Sequence, residues 1–122
     1  MAKKILIVDD EPDMLDLATV RLRKLGYEII EAVDAEEAMV FMQSNTPDLI
    51  LLDLLLPKMQ GDELCRKLKS EDKYKNIPVI LFTASAIRPS LPEKIREIGA
   101  DACILKPFEP QELIDEVKRF IG

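Results

Sequence analysis

Short apolar runs alternate with longer segments of helical period along the whole chain, and this alternation narrows the possible folds more than any other property. Such a pattern is typical of repeated βα units around a parallel sheet. Most of the runs are continuously apolar, as expected of strands that are covered on both faces. The sequence therefore predicts an α/β domain with strands at Lys4–Val8, Glu28–Glu31, Leu49–Leu52, Val79–Phe82 and Ala102–Leu105.

The segments after the first two runs carry the start and stop signals of helices. The first helix is predicted to begin near Pro12 and to stop at Gly26, because proline suits an opening turn and glycine suits a C-terminal turn. Asp34 and Glu37 resemble a capping box for the second helix, which ends before Pro47. The predicted core-facing residues are Met14, Leu17, Ala18, Leu22 and Leu25 on the first helix and Ala38, Phe41 and Met42 on the second.

Three further helices follow the remaining runs. The third is predicted to span Gly61–Lys69, and the fifth to run from about Pro110 to Ile121. Pro89 and Pro92 delay the start of the fourth helix, which has Ser90 and Glu93 as a candidate cap and Gly99 as its stop. The predicted core-facing residues are Leu64, Cys65 and Leu68 on the third helix and Leu113, Val117, Phe120 and Ile121 on the fifth.

Length and charge limit the possible functions. The 122 residues, 48% of them hydrophobic, suit one domain over residues 1–122 with a substantial core. A net charge of −6 argues against direct binding to nucleic acid or to an anionic membrane surface. The chain has no histidine, which excludes Ser-His-Asp and Cys-His catalysis and histidine-ligated metal centres.

The cysteines and the longest apolar stretch point to a cytoplasmic protein. Cys65 and Cys103 are too few for a disulfide scaffold and match no paired metal spacing, so we expect reduced thiols that fill core space. We expect Cys103 to be largely buried and unreactive. The stretch Leu49–Leu56 is interrupted by Asp53 and is far shorter than the roughly 20 residues of a membrane helix, and the N-terminus lacks the apolar region of a secretory signal.

Polar residues follow four of the five predicted strands at the edge where a parallel sheet has its functional crevice. Asp9 and Asp10 follow the first strand, Asp53 the third, Thr83 the fourth and Lys106 the fifth. If the first and third strands are neighbours, their carboxylates form an acidic trio whose mutual repulsion a divalent cation would relieve. Oxygen-only ligands favour Mg²⁺ over zinc.

Such a site suits a phosphoryl group, which needs a metal, a positive charge and hydrogen-bond donors together, and the Asp53 carboxylate is a candidate nucleophile. Single residues of this candidate site could also have purely structural roles. Asp9 and Asp10 could complement the dipole of the first helix, and Lys106 could be a solvated surface residue. Asp53 is harder to explain structurally, because a carboxylate between two leucines would be desolvated without compensation.

The residues at the strand ends, taken together, resemble the receiver domain of two-component response regulators over essentially the whole chain. The motifs are Asp9-Asp10 after Ile5-Leu6-Ile7-Val8, Asp53 with Pro57 and Gly61, Thr83-Ala84, and Lys106-Pro107-Phe108. The resemblance implies a flavodoxin-like (βα)5 fold, a three-layer sandwich with strand order 2-1-3-4-5. It also implies a cis peptide between Lys106 and Pro107.

The resemblance implies a role for each motif residue. Asp53 would be the phosphoacceptor, which attacks a phosphohistidine of a sensor histidine kinase or histidine phosphotransfer protein. Lys106 would contact the phosphoryl oxygens and Asp53, and Thr83 would hydrogen-bond the phosphoryl group beside the small Ala84. Asp10, Asp53 and the backbone carbonyl of Leu55 would bind Mg²⁺ directly, with Asp9 acting through water.

One position departs from the family. Three residues before the lysine the family usually has Tyr or Phe, whose rotamer follows phosphorylation, and here the residue is Cys103. A thiol cannot make the same movement, so we expect the usual signalling route to the face formed by the fourth helix, fifth strand and fifth helix to differ here. The resemblance otherwise implies a phosphoacceptor that is no enzyme in the usual sense, that assists its own phosphorylation and dephosphorylation, and that signals to a downstream protein.

Two other protein classes share a similar site or fold with receiver domains. A haloacid-dehalogenase-type phosphatase expects a second acid two residues after the nucleophile, where this chain has Leu55. A flavodoxin-like FMN carrier expects a Ser/Thr/Gly-rich loop where this chain has Asp9-Asp10-Glu11. A scaffold that is not phosphorylated is disfavoured because no catalytic position is missing. We expect a stand-alone receiver similar to those of chemotaxis, although the receiver domain of a longer regulator would have the same sequence features.

A partner surface is predicted beside the crevice. A phosphodonor must approach in line with Asp53, which places its docking site at the first helix and the loops after the third and fifth strands. The residues expected there are Met14, Leu15, Val20, Pro57, Lys58 and Phe108.

Overall fold

A single parallel sheet organises the computed structural model of the chain, which describes residues 3–10, 16–53, 61–84, 91–106 and 108–122. The order across the sheet is strand 2, 1, 3, 4 and 5, which confirms the order that the resemblance implies. In chain order the strands are β1 (Lys4–Val8), β2 (Glu28–Ala32), β3 (Leu49–Asp53), β4 (Val79–Ala84) and β5 (Ala102–Lys106).

Four strands extend further than their apolar runs predict, and β2 gains only Ala32. β3 includes Asp53, β4 includes Thr83 and Ala84, and β5 includes Lys106. These residues take part in the sheet register, with Asp53 opposite Phe82 and Lys106 opposite Ala84. A polar side chain at a strand end does not prevent pairing, because only the backbone forms the ladder. The backbones of three proposed functional residues are therefore fixed by the sheet.

Within the described residues, five helices cover the sheet, each following a strand: α1 (Asp16–Lys24), α2 (Ala35–Ser44), α3 (Gly61–Ser70), α4 (Leu91–Ile98) and α5 (Pro110–Ile121). Gly26 and Gly99 have φ angles of +100° and +87°, so the predicted stops after α1 and α4 are confirmed. The predicted start of the first helix at Pro12 and the cap at Ser90 lie outside the described residues.

The helices lie on both faces of the sheet, which confirms the three-layer sandwich. One core cluster packs α1 and α5 against one face, and the other packs α2, α3 and α4 against the opposite face. Cys65 and Leu64 are fully buried in the second cluster, as predicted. Within the described residues, no helix is both long and apolar enough to span a membrane.

The predicted core stripe of α1 is wrong at two positions. Leu17 is 72% exposed and Leu25 is 52% exposed, whereas Ala18, Thr19 and Leu22 face the core. Leu25 lies beyond the end of α1 at Lys24, so the helical period no longer sets its direction. On α5 the prediction is closer: Leu113 and Val117 are buried together with Ile114, while Phe120 and Ile121 are partly buried.

The cap of α2 differs in one detail from a capping box. The Asp34 side chain accepts a hydrogen bond from the Glu37 backbone N–H at 2.8 Å, as predicted. The Glu37 side chain does not return this bond to Asp34, and instead Oε1 accepts from the Val33 N–H at 3.3 Å. Ala38 and Met42 are buried beneath the helix, as expected, and Phe41 is partly buried.

Candidate functional site

The two strands that carry the candidate carboxylates are direct neighbours and end at the same level. β1 pairs with β3 in parallel, with Val8 opposite Leu52. The following residues, Asp9 and Asp53, therefore reach the carboxyl edge of the sheet side by side. Asp9 is held there by a hydrogen bond of 3.0 Å from its backbone N–H to the carbonyl of Ala32.

The structure brings the predicted acidic trio together. One carboxylate oxygen from each of Asp9, Asp10 and Asp53 lies within 4.8 Å of the other two. Asp9 and Asp53 are only 1% and 6% exposed, whereas Asp10 is exposed. Carboxylates at this separation in a partly buried crevice repel one another unless a cation is held between them.

The donor set fits a hard divalent cation. All three side chains offer oxygen, and the trio contains neither imidazole nor thiolate. Oxygen ligands suit Mg²⁺ and Ca²⁺, while zinc sites in proteins are typically built from Cys and His. The Asp10 carboxylate is exposed, so the trio is accessible from solvent on that residue's side.

Two further predicted residues occupy the same edge of the sheet. Thr83 and Lys106 lie at the carboxyl ends of β4 and β5, with Thr83 opposite Leu105 and Lys106 opposite Ala84. Their backbones are described, and their side chains lie outside the description. Leu55, Pro57, Lys58 and Pro107 lie wholly outside the described residues. The Leu55 carbonyl as a metal ligand and the cis peptide before Pro107 therefore stay predictions.

A contact at the opposite edge of the sheet fixes the strands that carry Thr83 and Lys106. Lys69 Nζ lies 2.8 Å from Asp101 Oδ2 and 2.9 Å from the carbonyl oxygen of Ile77. The same Asp101 oxygen accepts the Val79 N–H at 2.8 Å. Sequence reasoning missed this cluster because Lys69 and Asp101 lie far apart in the chain and neither stands in a recognisable motif.

Cys103 occupies a less buried position than predicted. It lies in β5, an edge strand of the sheet, and is half-buried against the core cluster beneath α2, α3 and α4. Burial raises the pKa of the Cys103 thiol to about 11. Both cysteines are free thiols, as expected. The side chain at the usual switch position is therefore small, neutral at physiological pH and packed toward the α4 side.

Comparisons with known proteins agree with this site. The response regulator receiver domain family matches residues 5–118. The phosphate regulon transcriptional regulatory protein PhoB of Pseudomonas aeruginosa is 41% identical over 118 residues, which make up 97% of this chain and 51% of that protein. The chain thus spans about half the length of the curated relatives it matches.

Two solved structures share the fold over nearly their full length. The chemotaxis response regulator CheY4 of Vibrio cholerae superposes with a TM-score of 0.87 at 28% identity, covering 98% of this chain and 99% of that one. The receiver domain of the sensor histidine kinase PA1611 from Pseudomonas aeruginosa, which has a magnesium ion coordinated in its active site cleft, gives 0.85 at 29% identity, covering 100% and 99%.

Strand order, the acidic trio and the match over residues 5–118 lead to one conclusion. The chain belongs to the response regulator receiver domain family, whose members are two-component signalling domains phosphorylated on an aspartate.

Proposed function

We propose that Asp53 is the phosphoacceptor and takes its phosphoryl group from a phosphohistidine of a histidine kinase or histidine phosphotransfer protein. The observation that carries this proposal is the approach of Asp9, Asp10 and Asp53 to within 4.8 Å at the ends of two neighbouring strands. An Asp53 carboxylate oxygen attacks phosphorus, the P–N bond breaks, and the imidazole nitrogen keeps the electron pair and is protonated by solvent.

Asp10, Asp53 and the Leu55 carbonyl are the proposed direct ligands of Mg²⁺, with Asp9 acting through water. When bound, the ion supplies positive charge that offsets the repulsion between the carboxylates and the incoming phosphoryl oxygens. Asp53 is held in the strand by pairing opposite Phe82, so its carboxylate is positioned before the donor arrives.

Thr83 and Lys106 are proposed to complete the site from β4 and β5. Both follow the apolar part of their strands at the edge where Asp53 ends β3. A lysine ammonium contacts phosphoryl oxygens and the acceptor carboxylate, and a threonine hydroxyl donates to the phosphoryl group. With these groups the domain assists its own phosphorylation and dephosphorylation, although it is a signalling protein and no classical enzyme.

The output of the domain is proposed to be contact with a downstream protein. In this proposal residues 1–122 form a single receiver domain, and their net charge of −6 disfavours direct binding to DNA by these residues. PhoB and other curated relatives are transcriptional regulators of about twice this length. The identity of the downstream protein and a cytoplasmic location stay predictions.

The test is incubation with a small acyl phosphate and Mg²⁺, followed by intact mass and peptide mapping. We expect a gain of about 80 Da, one phosphoryl group, on Asp53. Chelation of the metal and the Asp53→Asn substitution should each abolish the gain, with circular dichroism unchanged for the variant. Modification of another residue in Asp53→Asn under the same conditions would refute the assignment.

A further inference from the structure

An open groove lies between α1 and α5, and none of the proposed phosphorylation residues lines it. Its volume is about 360 Å³. It is lined by Arg21, Lys24 and Leu25 at α1 and by Gln111, Ile114 and Lys118 on α5. Sequence analysis did not find it, because each helix contributes only part of the surface.

The groove is positively charged, although the protein is acidic. Arg21, Lys24 and Lys118 all face it, and none of them forms an ion pair with a residue in the described part of the chain. Of the acids near it on α5, Glu116 pairs with Arg119 at 3.0 Å, whereas Asp115 accepts a hydrogen bond of 2.8 Å from the neutral Gln111 amide and keeps its charge. With a net charge of −6 on the whole chain, three convergent cations form a local reversal of sign.

Apolar side chains accompany these charges. Ile114 is buried at the base of the groove, while Leu25 at its rim is 52% exposed. Leu17, the most exposed large apolar side chain among the described residues, stands four residues before Arg21 on the same helix. Residues with this spacing share one side of a helix. The surface therefore combines an apolar centre with basic residues on both sides.

The openness of the groove favours a peptide over a small molecule. Five of the six lining residues are exposed, with Ile114 as the buried exception. Small-molecule sites enclose most of their ligand, whereas an amphipathic helix binds by laying one face into an open groove. Charge complementarity then requires acidic side chains beside the apolar face of that helix.

We propose that the α1–α5 groove binds an acidic amphipathic helix of a partner protein. Leucine-type side chains of the helix pack on Ile114 and Leu25, and its carboxylates pair with Arg21 and Lys24 on one side and Lys118 on the other. The interaction does not depend on Asp53, so its failure leaves the proposed phosphorylation untouched.

The probe is a synthetic peptide of glutamate, alanine and leucine with leucine at helical spacing, added to the isotopically labelled full chain and followed by NMR. We expect shifts confined to α1 and α5. The double substitution Arg21→Glu/Lys24→Glu should weaken binding about tenfold or more, since each unit of 1.4 kcal/mol is tenfold in the dissociation constant. The matched control Arg23→Glu/Lys67→Glu changes the net charge equally at exposed sites away from the groove and should leave affinity within about twofold.

Several outcomes would overturn the proposal. Equal weakening by the control, or equal binding of a peptide with the same composition and scrambled leucines, would mean attraction by charge alone. Self-association of the free protein that Arg21→Glu/Lys24→Glu abolishes in sedimentation would make the groove an interface between copies. If circular dichroism shows that the double variant is unfolded, Lys118→Glu on α5 provides the same test, and unchanged affinity in that variant would contradict the proposal.

Discussion

Helices α1 and α5 cover the same face of the sheet but use their apolar residues differently. On α5, the buried residues Leu113, Ile114 and Val117 form one continuous core face. On α1, the described part buries only Ala18, Thr19 and Leu22, while Leu17 and Val20 are 72% and 47% exposed. Helix α1 therefore exposes apolar side chains that the core does not bury. This exposed apolar surface is available for contacts with other proteins.

The largest expected effect tests this division directly. Leu113→Ala on α5 should lower the free energy of unfolding by roughly 2–5 kcal/mol, because it leaves a cavity at a fully buried site. Leu17→Ala on α1 should change it by no more than about 0.5 kcal/mol. Urea-induced unfolding of the two variants provides the measurement. A loss above 1 kcal/mol for Leu17→Ala would erase the difference between the helices.

The reason that α5 was predicted more accurately than α1 is physical. Helix α5 has apolar residues on a narrow arc, so helical spacing alone selects its core face. Helix α1 has apolar residues around much of its circumference, and spacing cannot decide which of them turn inward. The choice is made by packing against the sheet and α5, which places the polar Thr19 inside and Leu17 outside.

The candidate site shows a similar boundary between what sequence can and cannot predict. Asp9 and Asp53 follow apolar runs, so their place at the carboxyl ends of strands was predictable. Their adjacency depends on strand order, which came from the family resemblance and is confirmed by the sheet. The Lys69–Asp101 contact joins α3 to the residue before β5, and no local sequence pattern predicts such a pair.

A smaller effect concerns the way α1 ends. Gly26 has a φ of +100°, and nothing lies within 4 Å of a Cβ added there. Gly26→Ala should therefore cost about 1 kcal/mol from backbone strain alone, without disturbing the core. Gly26→Asn should cost less, because asparagine adopts left-handed backbone angles more readily. Equal losses in urea unfolding would show that the strain is not the cause.

The smallest expected effect tests whether the exposed apolar residues of α1 contact the phosphodonor protein. Val20→Asp should slow phosphotransfer from a cognate histidine kinase about threefold, because most single interface residues contribute less than 1 kcal/mol. Phosphorylation by a small acyl phosphate should be unchanged, since that donor needs no docking surface. Val40→Asp on α2 is the matched control, because Val40 is similarly exposed on the opposite face of the sheet.

Met14, the other predicted docking residue on the first helix, lies outside the described residues, so Val20 carries this test. Val20 does not line the groove of Arg21 and Lys24, but it stands four residues before Lys24 and so lies on the same side of α1. A rate from the kinase that Val20→Asp leaves unchanged would remove α1 from the docking surface. Binding of the acidic helix at the α1–α5 groove would then be the remaining proposed role of the exposed apolar residues of α1.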